Sequence, residues 1–134
     1  MKYVSNGASG FVPASHEDPK NPGVLKRVIA TRQNFQAGQV QMLNWAQLPV
    51  GSSFQPHYHE DMQEVFVLLS GVVTMTVRKL NSDASAAECV TMRHGDTVII
   101  EPTEIHQMQN VGDVVAEYIV FGISSQNGGQ TIVV

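Results

Sequence analysis

No window of this chain repeats its apolar residues at a helical spacing over three turns, and that limits its folds more than any motif does. The apolar residues instead form short runs: Val24 to Thr31, Val40 to Leu48, Glu64 to Leu69, Val72 to Val77, Glu88 to Met92, Asp96 to Ile100, Ile105 to Asn110 and Val114 to Ile123. Turn formers separate them, among them Pro49-Val50-Gly51, Ser70-Gly71, Arg93-His94-Gly95 and Val111-Gly112-Asp113, with a polar loop over 81–87. Many short strands at roughly even spacing predict an all-β sandwich or barrel. The length, 134 residues, is that of one domain. Residues 1–23 are rich in Gly, Ser, Asn and Pro and include the turn signal Asn21-Pro22-Gly23. The expected organisation is an N-terminal arm over 1–23, which docks on something, and one barrel over 24–134.

Charge narrows the partners. Lys and Arg total 8 against 12 Asp and Glu, a formal charge of −4. With no basic excess to neutralise phosphates, neither nucleic acid nor an anionic membrane surface is an expected partner. The longest uncharged stretch, Val65 to Val77, is broken by Ser70-Gly71 and is too short for a membrane-spanning helix. No apolar leader follows Met1-Lys2, so the expected location is the cytoplasm. Cys89 is the one cysteine, which rules out an internal disulfide and a cysteine-rich zinc site.

His57-Tyr58-His59 places two imidazoles at i and i+2, the same face of a strand. Glu64 follows a polar turn over 60–63 and is expected to open the neighbouring antiparallel strand, pointing into the same cavity. His106 begins another strand. Three neutral nitrogens and a carboxylate oxygen can hold a divalent ion, Fe, Mn, Ni or Zn, and leave coordination positions open. Glu60 to Gln63 only superficially resembles a zincin motif after His59, because residue 63 is Gln and the segment is not helical. Ser52-Ser53 lacks a nucleophile-elbow pattern. His16 and His94, in polar stretches, read as surface residues, and Cys89 as a small hydrophobe.

The spacing Gly51, His57, His59, Glu64, Gly71 resembles the first motif of the cupin superfamily throughout. Gly95, His106 and Asn110 match the second motif, while Glu101 stands where the family has Pro and Thr103 where it has Gly. The resemblance covers most of the chain after residue 24. It implies a double-stranded β-helix, a jelly-roll barrel of two antiparallel sheets, with His57, His59, Glu64 and His106 as metal ligands. It does not choose a reaction, because the family holds dioxygenases, decarboxylases, isomerases, epimerases, binding modules and storage proteins.

Strand alternation extends the site. If Glu64 faces inward, so do Phe66 and Leu68; if His106 does, so do Met108 and Asn110. These four are the expected pocket residues, joined by one unassigned face of Met42-Leu43-Asn44-Trp45. A polyanionic substrate would need Arg32, Arg78 or Lys79 to reach in, since neither motif contains Arg or Lys. Two functions fit. One is a metal-dependent enzyme on a small organic molecule, a dioxygenase or an isomerase, with Glu64 a ligand that loosens and acts as a base. The other is a non-catalytic module that binds a small ligand or metal. A homodimer is also expected, because low charge leaves sheet edges poorly protected and Val24 to Thr31 is placed to extend the sheet of a second copy.

Overall fold

The computed structural model describes residues 1, 4, 10–35, 39–126 and 130–134. Among the described residues it is all-β, with eleven strands in two antiparallel sheets packed face to face as a jelly roll. The strands are β1 (Val12–Pro13), β2 (Leu25–Thr31), β3 (Val40–Leu48), β4 (His57–Tyr58), β5 (Gln63–Ser70), β6 (Val73–Lys79), β7 (Glu88–Met92), β8 (Thr97–Ile100), β9 (Glu104–Asn110), β10 (Ala116–Ile123) and β11 (Ile132–Val133). One sheet runs β1-β2-β3-β10-β5-β8 and the other β11-β4-β9-β6-β7.

Alternation decides which side chains fill the space between them. From the six-stranded sheet, Asn44, Ala46 and Leu48 of β3, Glu64, Phe66 and Leu68 of β5, and Ala116, Tyr118 and Val120 of β10 are buried. The five-stranded sheet answers with Val73, Met75, Met92, His106, Met108 and Asn110. Leu48, Leu68, Val73, Met75 and Met108, all fully buried, close one end of the barrel. The other end carries the polar residues of β4, the start of β5 and the start of β9.

The turns between these strands use the motif residues. Gly71 has φ +89°, the left-handed region, and a Cβ there would lie 2.9 Å from the backbone of Ala116. Thr103, in the place of the family's Gly, is also left-handed, at φ +68°. A β-branched residue pays for that conformation, so the second motif keeps its turn geometry at the cost of backbone strain.

What residues 12–23 dock on is the chain's own barrel. Val12 pairs with Lys26 and Pro13 with Leu25, making β1 the outer strand of the six-stranded sheet. Ala14 and Glu17 are buried. The Glu17 carboxylate accepts the backbone N–H of Gly23 at 3.2 Å and of Gln55 at 3.0 Å, tying this segment to the loop that leads into β4.

Candidate metal centre

His57, His59, Glu64 and His106 come together, with one donor atom from each lying within 4.8 Å of all the others. The two sheets supply them from opposite sides. His57 and His106 are direct partners in the β4–β9 pairing of one sheet, whereas Glu64 lies on β5 of the other. The expectation that Glu64 opens the strand next to the histidines is therefore corrected: residues 59–62 carry the chain across the barrel, and the carboxylate meets the imidazoles face to face. All four side chains are buried.

The hydrogen bonds fix the proton on each ring. The Nδ1 atoms of His57, His59 and His106 lie 2.7, 2.8 and 3.0 Å from the backbone carbonyls of Gln55, Gln130 and Glu104. A carbonyl only accepts, so each Nδ1 carries the proton, and in a neutral ring each Nε2 is a bare lone pair. Those three Nε2 atoms point at Glu64 Oε1, at 3.9 Å from His57, 2.6 Å from His59 and 3.0 Å from His106. Four acceptors thus converge with no donor among them unless the rings take a second proton each. Three imidazoliums with ring centres 4.4 to 5.9 Å apart would repel strongly in a buried site. A divalent cation satisfies all four at once, and carbonyl-held Nδ1–H groups are the usual support for histidine ligands. The residues fit a metal.

The electrostatics carry the same mark. Burial pushes the Glu64 carboxyl up, but its close contacts with the His106, His57 and His59 imidazoles outweigh it and hold it well below the usual carboxylate range. Burial acts to lower His59, and the Glu64 hydrogen bond and charge overcome it, so its pKa is raised. The site is tuned for positive charge next to a carboxylate.

Beside these ligands lies a cavity of about 240 Å³. Of the four expected pocket residues, Phe66 lines it. Leu68 and Met108 lie outside its lining and pack the closed end of the barrel. Asn110 also lies outside: its amide donates to the carbonyls of Leu48 and Val114 and accepts the N–H of Gly112, pinning a turn. Inward alternation identified buried positions, but the cavity occupies only one end of the interior. On β3 it is Met42, Asn44 and Ala46 that face the cavity. Trp45 points outward and donates to Glu117 at 2.9 Å.

Among the cavity residues outside the expected set, two carry basic side chains, His16 and Lys26. His16, expected on the surface, lines the cavity and lies 4.5 Å, ring centre to ring centre, from His57. Burial, reinforced by His57, lowers its pKa to about 4, so the ring is neutral at pH 7. Lys26 is the one Lys or Arg among the described lining residues; Arg32, Arg78 and Lys79 are not among them. Neither had a local signal, because His16 sits in a polar stretch and is brought in only by the docking of β1. His94 is exposed, as is Cys89 on β7. Glu101 is exposed and accepts from Gln63, outside the ligand cluster.

Comparison with known proteins agrees with this geometry. The cupin domain family model matches residues 44–122, and the chain belongs to that family. It is 32% identical over 95 residues to the uncharacterized protein MJ1618 of Methanocaldococcus jannaschii, covering 71% of this chain and 68% of that protein. Its fold is similar to that of a predicted oxalate decarboxylase from Thermotoga maritima, with TM-score 0.74 and 20% identity over 92% of this chain and 99% of the other. It is also similar to the polyketide cyclase RemF from Streptomyces resistomycificus, with TM-score 0.73 and 15% identity over 100% of this chain and 85% of the other.

Proposed function

We propose that this cupin is a metal-dependent enzyme acting on a small organic molecule held in the cavity beside the four ligands. The observation that carries the reading is the convergence of three Nε2 lone pairs and one carboxylate oxygen with no proton donor between them. His57, His59, Glu64 and His106 would hold the ion, which supplies Lewis-acid or redox chemistry to a bound oxygen function. The chain's own residues do the rest. The carbonyls of Gln55, Gln130 and Glu104 lock the imidazole rings in one tautomer and orientation. Phe54 and Phe66, both buried, form apolar walls that keep water from the reacting end and strengthen every charge interaction there. Glu64 is the one carboxylate among the described lining residues and is placed to take a proton from a bound molecule at its oxygen. Similarity in fold to a predicted oxalate decarboxylase and to a polyketide cyclase supports an enzyme without choosing between such reactions.

Elemental analysis of the purified protein tests this. The expected result is about one equivalent of Fe, Mn, Ni or Zn per chain, with stability that falls on chelation because only the folded state binds the ion. The His57→Ala/His59→Ala double variant should lose the metal, and retention of full occupancy would refute the site. A protein that holds its metal and a small ligand yet turns over nothing in a substrate screen would be the non-catalytic binding module instead.

A further inference from the structure

Across the six-stranded sheet, Tyr118 of β10, Ala46 of β3 and Lys26 of β2 are direct partners in one row. All three face the cavity. Adjacent strands stand about 4.8 Å apart, so the Tyr118 and Lys26 backbones are about 10 Å apart. Between them Ala46 offers only a methyl group. A row of this kind has a donor at each end and a shallow floor.

Both donors are unspent. The Tyr118 hydroxyl makes no hydrogen bond to any described residue, and it is not sealed in the way the unpartnered His16 Nε2 and Asn44 Oδ1 atoms are. Since the residue is otherwise buried and lines the cavity, the space its hydroxyl reaches is the cavity itself. No described residue forms an ion pair with the Lys26 ammonium. Nearby carboxylates are already engaged: Glu64 by the histidines and Glu17 by the backbone N–H groups of Gly23 and Gln55. Burial and the charge of Glu64 raise the phenol far out of the physiological range, so its O–H proton stays in place to donate at neutral pH. The Lys26 ammonium shares the lining with Val24, Val28, Ala30 and Val120, and the one carboxylate there, Glu64, is already held by the histidines, so an anion entering the cavity meets an unpaired positive charge.

We propose that the ligand of this cavity is a small organic monoanion, a carboxylate, seated between the Lys26 ammonium and the Tyr118 hydroxyl with its apolar body over Ala46. This rests on the reading of the cavity as the ligand site beside a metal centre, and it assigns the polar end that the metal does not take. Ala46 makes the floor flat enough for a ring or short chain, and Phe54, Phe66 and Val120 enclose it.

Benzoate and benzamide, nearly equal in shape but one anionic and the other neutral, separate the possibilities by calorimetry on the metal-loaded and the chelator-treated protein. Benzoate should bind at least about tenfold tighter than benzamide in both forms, the usual size of a charge-assisted hydrogen bond. In the chelator-treated form, Lys26→Met should abolish that preference with benzamide affinity unchanged, and Tyr118→Phe should weaken benzoate about tenfold. Equal affinities in the wild type, or no binding of either probe, would overturn the proposal. A preference seen only in the metal-loaded form and untouched by Lys26→Met would overturn it too, showing that the ion alone holds the anion. A preference that depends on Lys26 in a protein that takes up no metal would sink the metal reading and leave this one standing.

Discussion

At the scale of single residues, Thr103 shows how a motif departure is absorbed. The left-handed backbone at φ +68° costs a β-branched residue about 1–2 kcal/mol. The turn nonetheless forms because its backbone is held from two sides: Thr103 N–H donates to the His59 carbonyl at 2.7 Å, and Leu80 N–H donates to the Thr103 carbonyl at 3.3 Å. Thr103→Gly relieves the strain but loosens the unfolded chain, an offset of about 0.5–1 kcal/mol. The expected net gain is up to about 1 kcal/mol by denaturant titration, with metal content unchanged. Glu101→Gln should likewise leave metal content and spectrum alone, because its carboxylate is exposed and bound to Gln63. A metal spectrum altered by Glu101→Gln would make Glu101 a ligand and overturn the four-residue assignment.

At the scale of elements, the segment through β1 is where reading by pattern and the structure diverge most. The long strands β3, β5 and β10 were legible because their alternation has one cause, a buried face, while β7, mostly exposed, was marked by the turns on either side; β3 and β7 keep their expected bounds, Val40–Leu48 and Glu88–Met92. The two-residue strands β1 and β11 leave no such trace, since two residues carry no period. The ligand set was legible for a different reason: spacing within His57-Tyr58-His59 survives any topology, even though Glu64 turned out to lie on the facing sheet. Cavity membership was not, because whether an inward residue meets open space or packed side chains depends on which end of the barrel it occupies, as Phe66 and Leu68 on one strand show. The segment also makes a prediction. Glu17 is the buried brace that holds His16 over the site, through its bonds to Gly23 and Gln55. Glu17→Ala leaves two N–H groups without their charged acceptor and should destabilise the fold by about 2–3 kcal/mol. Hydrogen exchange should speed up at the Gly23 and Gln55 amides well before the amides of β5 and β10 respond. Uniform loss of protection across all strands would mean that the segment is not a separate unit.

At the scale of the whole molecule, the outer face of the six-stranded sheet bears on the expected second copy. Strand β2, which the sequence pattern places to extend a partner's sheet, is capped by β1 at Leu25 and Lys26, so that edge is only partly open. The broad face offers more. Leu43, Phe121, Val65 and Ile99 lie in one row across β3, β10, β5 and β8, and Trp45, Ile119, Val67 and Thr97 form the next. Side chains directly opposite one another share a face, so these rows make a continuous apolar surface on the side away from the cavity. In a single chain Ile99 keeps 54% of its surface exposed, and its row neighbours are only half-buried. Apolar patches of this extent on soluble domains are usually covered by a partner. The expected state is a homodimer packed through this face, burying more than about 1,000 Å² in total with an apolar centre. Light scattering should then return twice the 14.6 kDa chain mass. Phe121→Arg places a charge at the middle of the patch and should yield monomer at micromolar concentration, with metal content intact because Glu64 faces the other side of this sheet and the histidines approach from across the barrel. A wild-type chain that is monomeric across the micromolar range would rule the dimer out, and a dimer that survives Phe121→Arg would move its interface elsewhere, with the open part of the β2 edge beyond Lys26 the surface to test next.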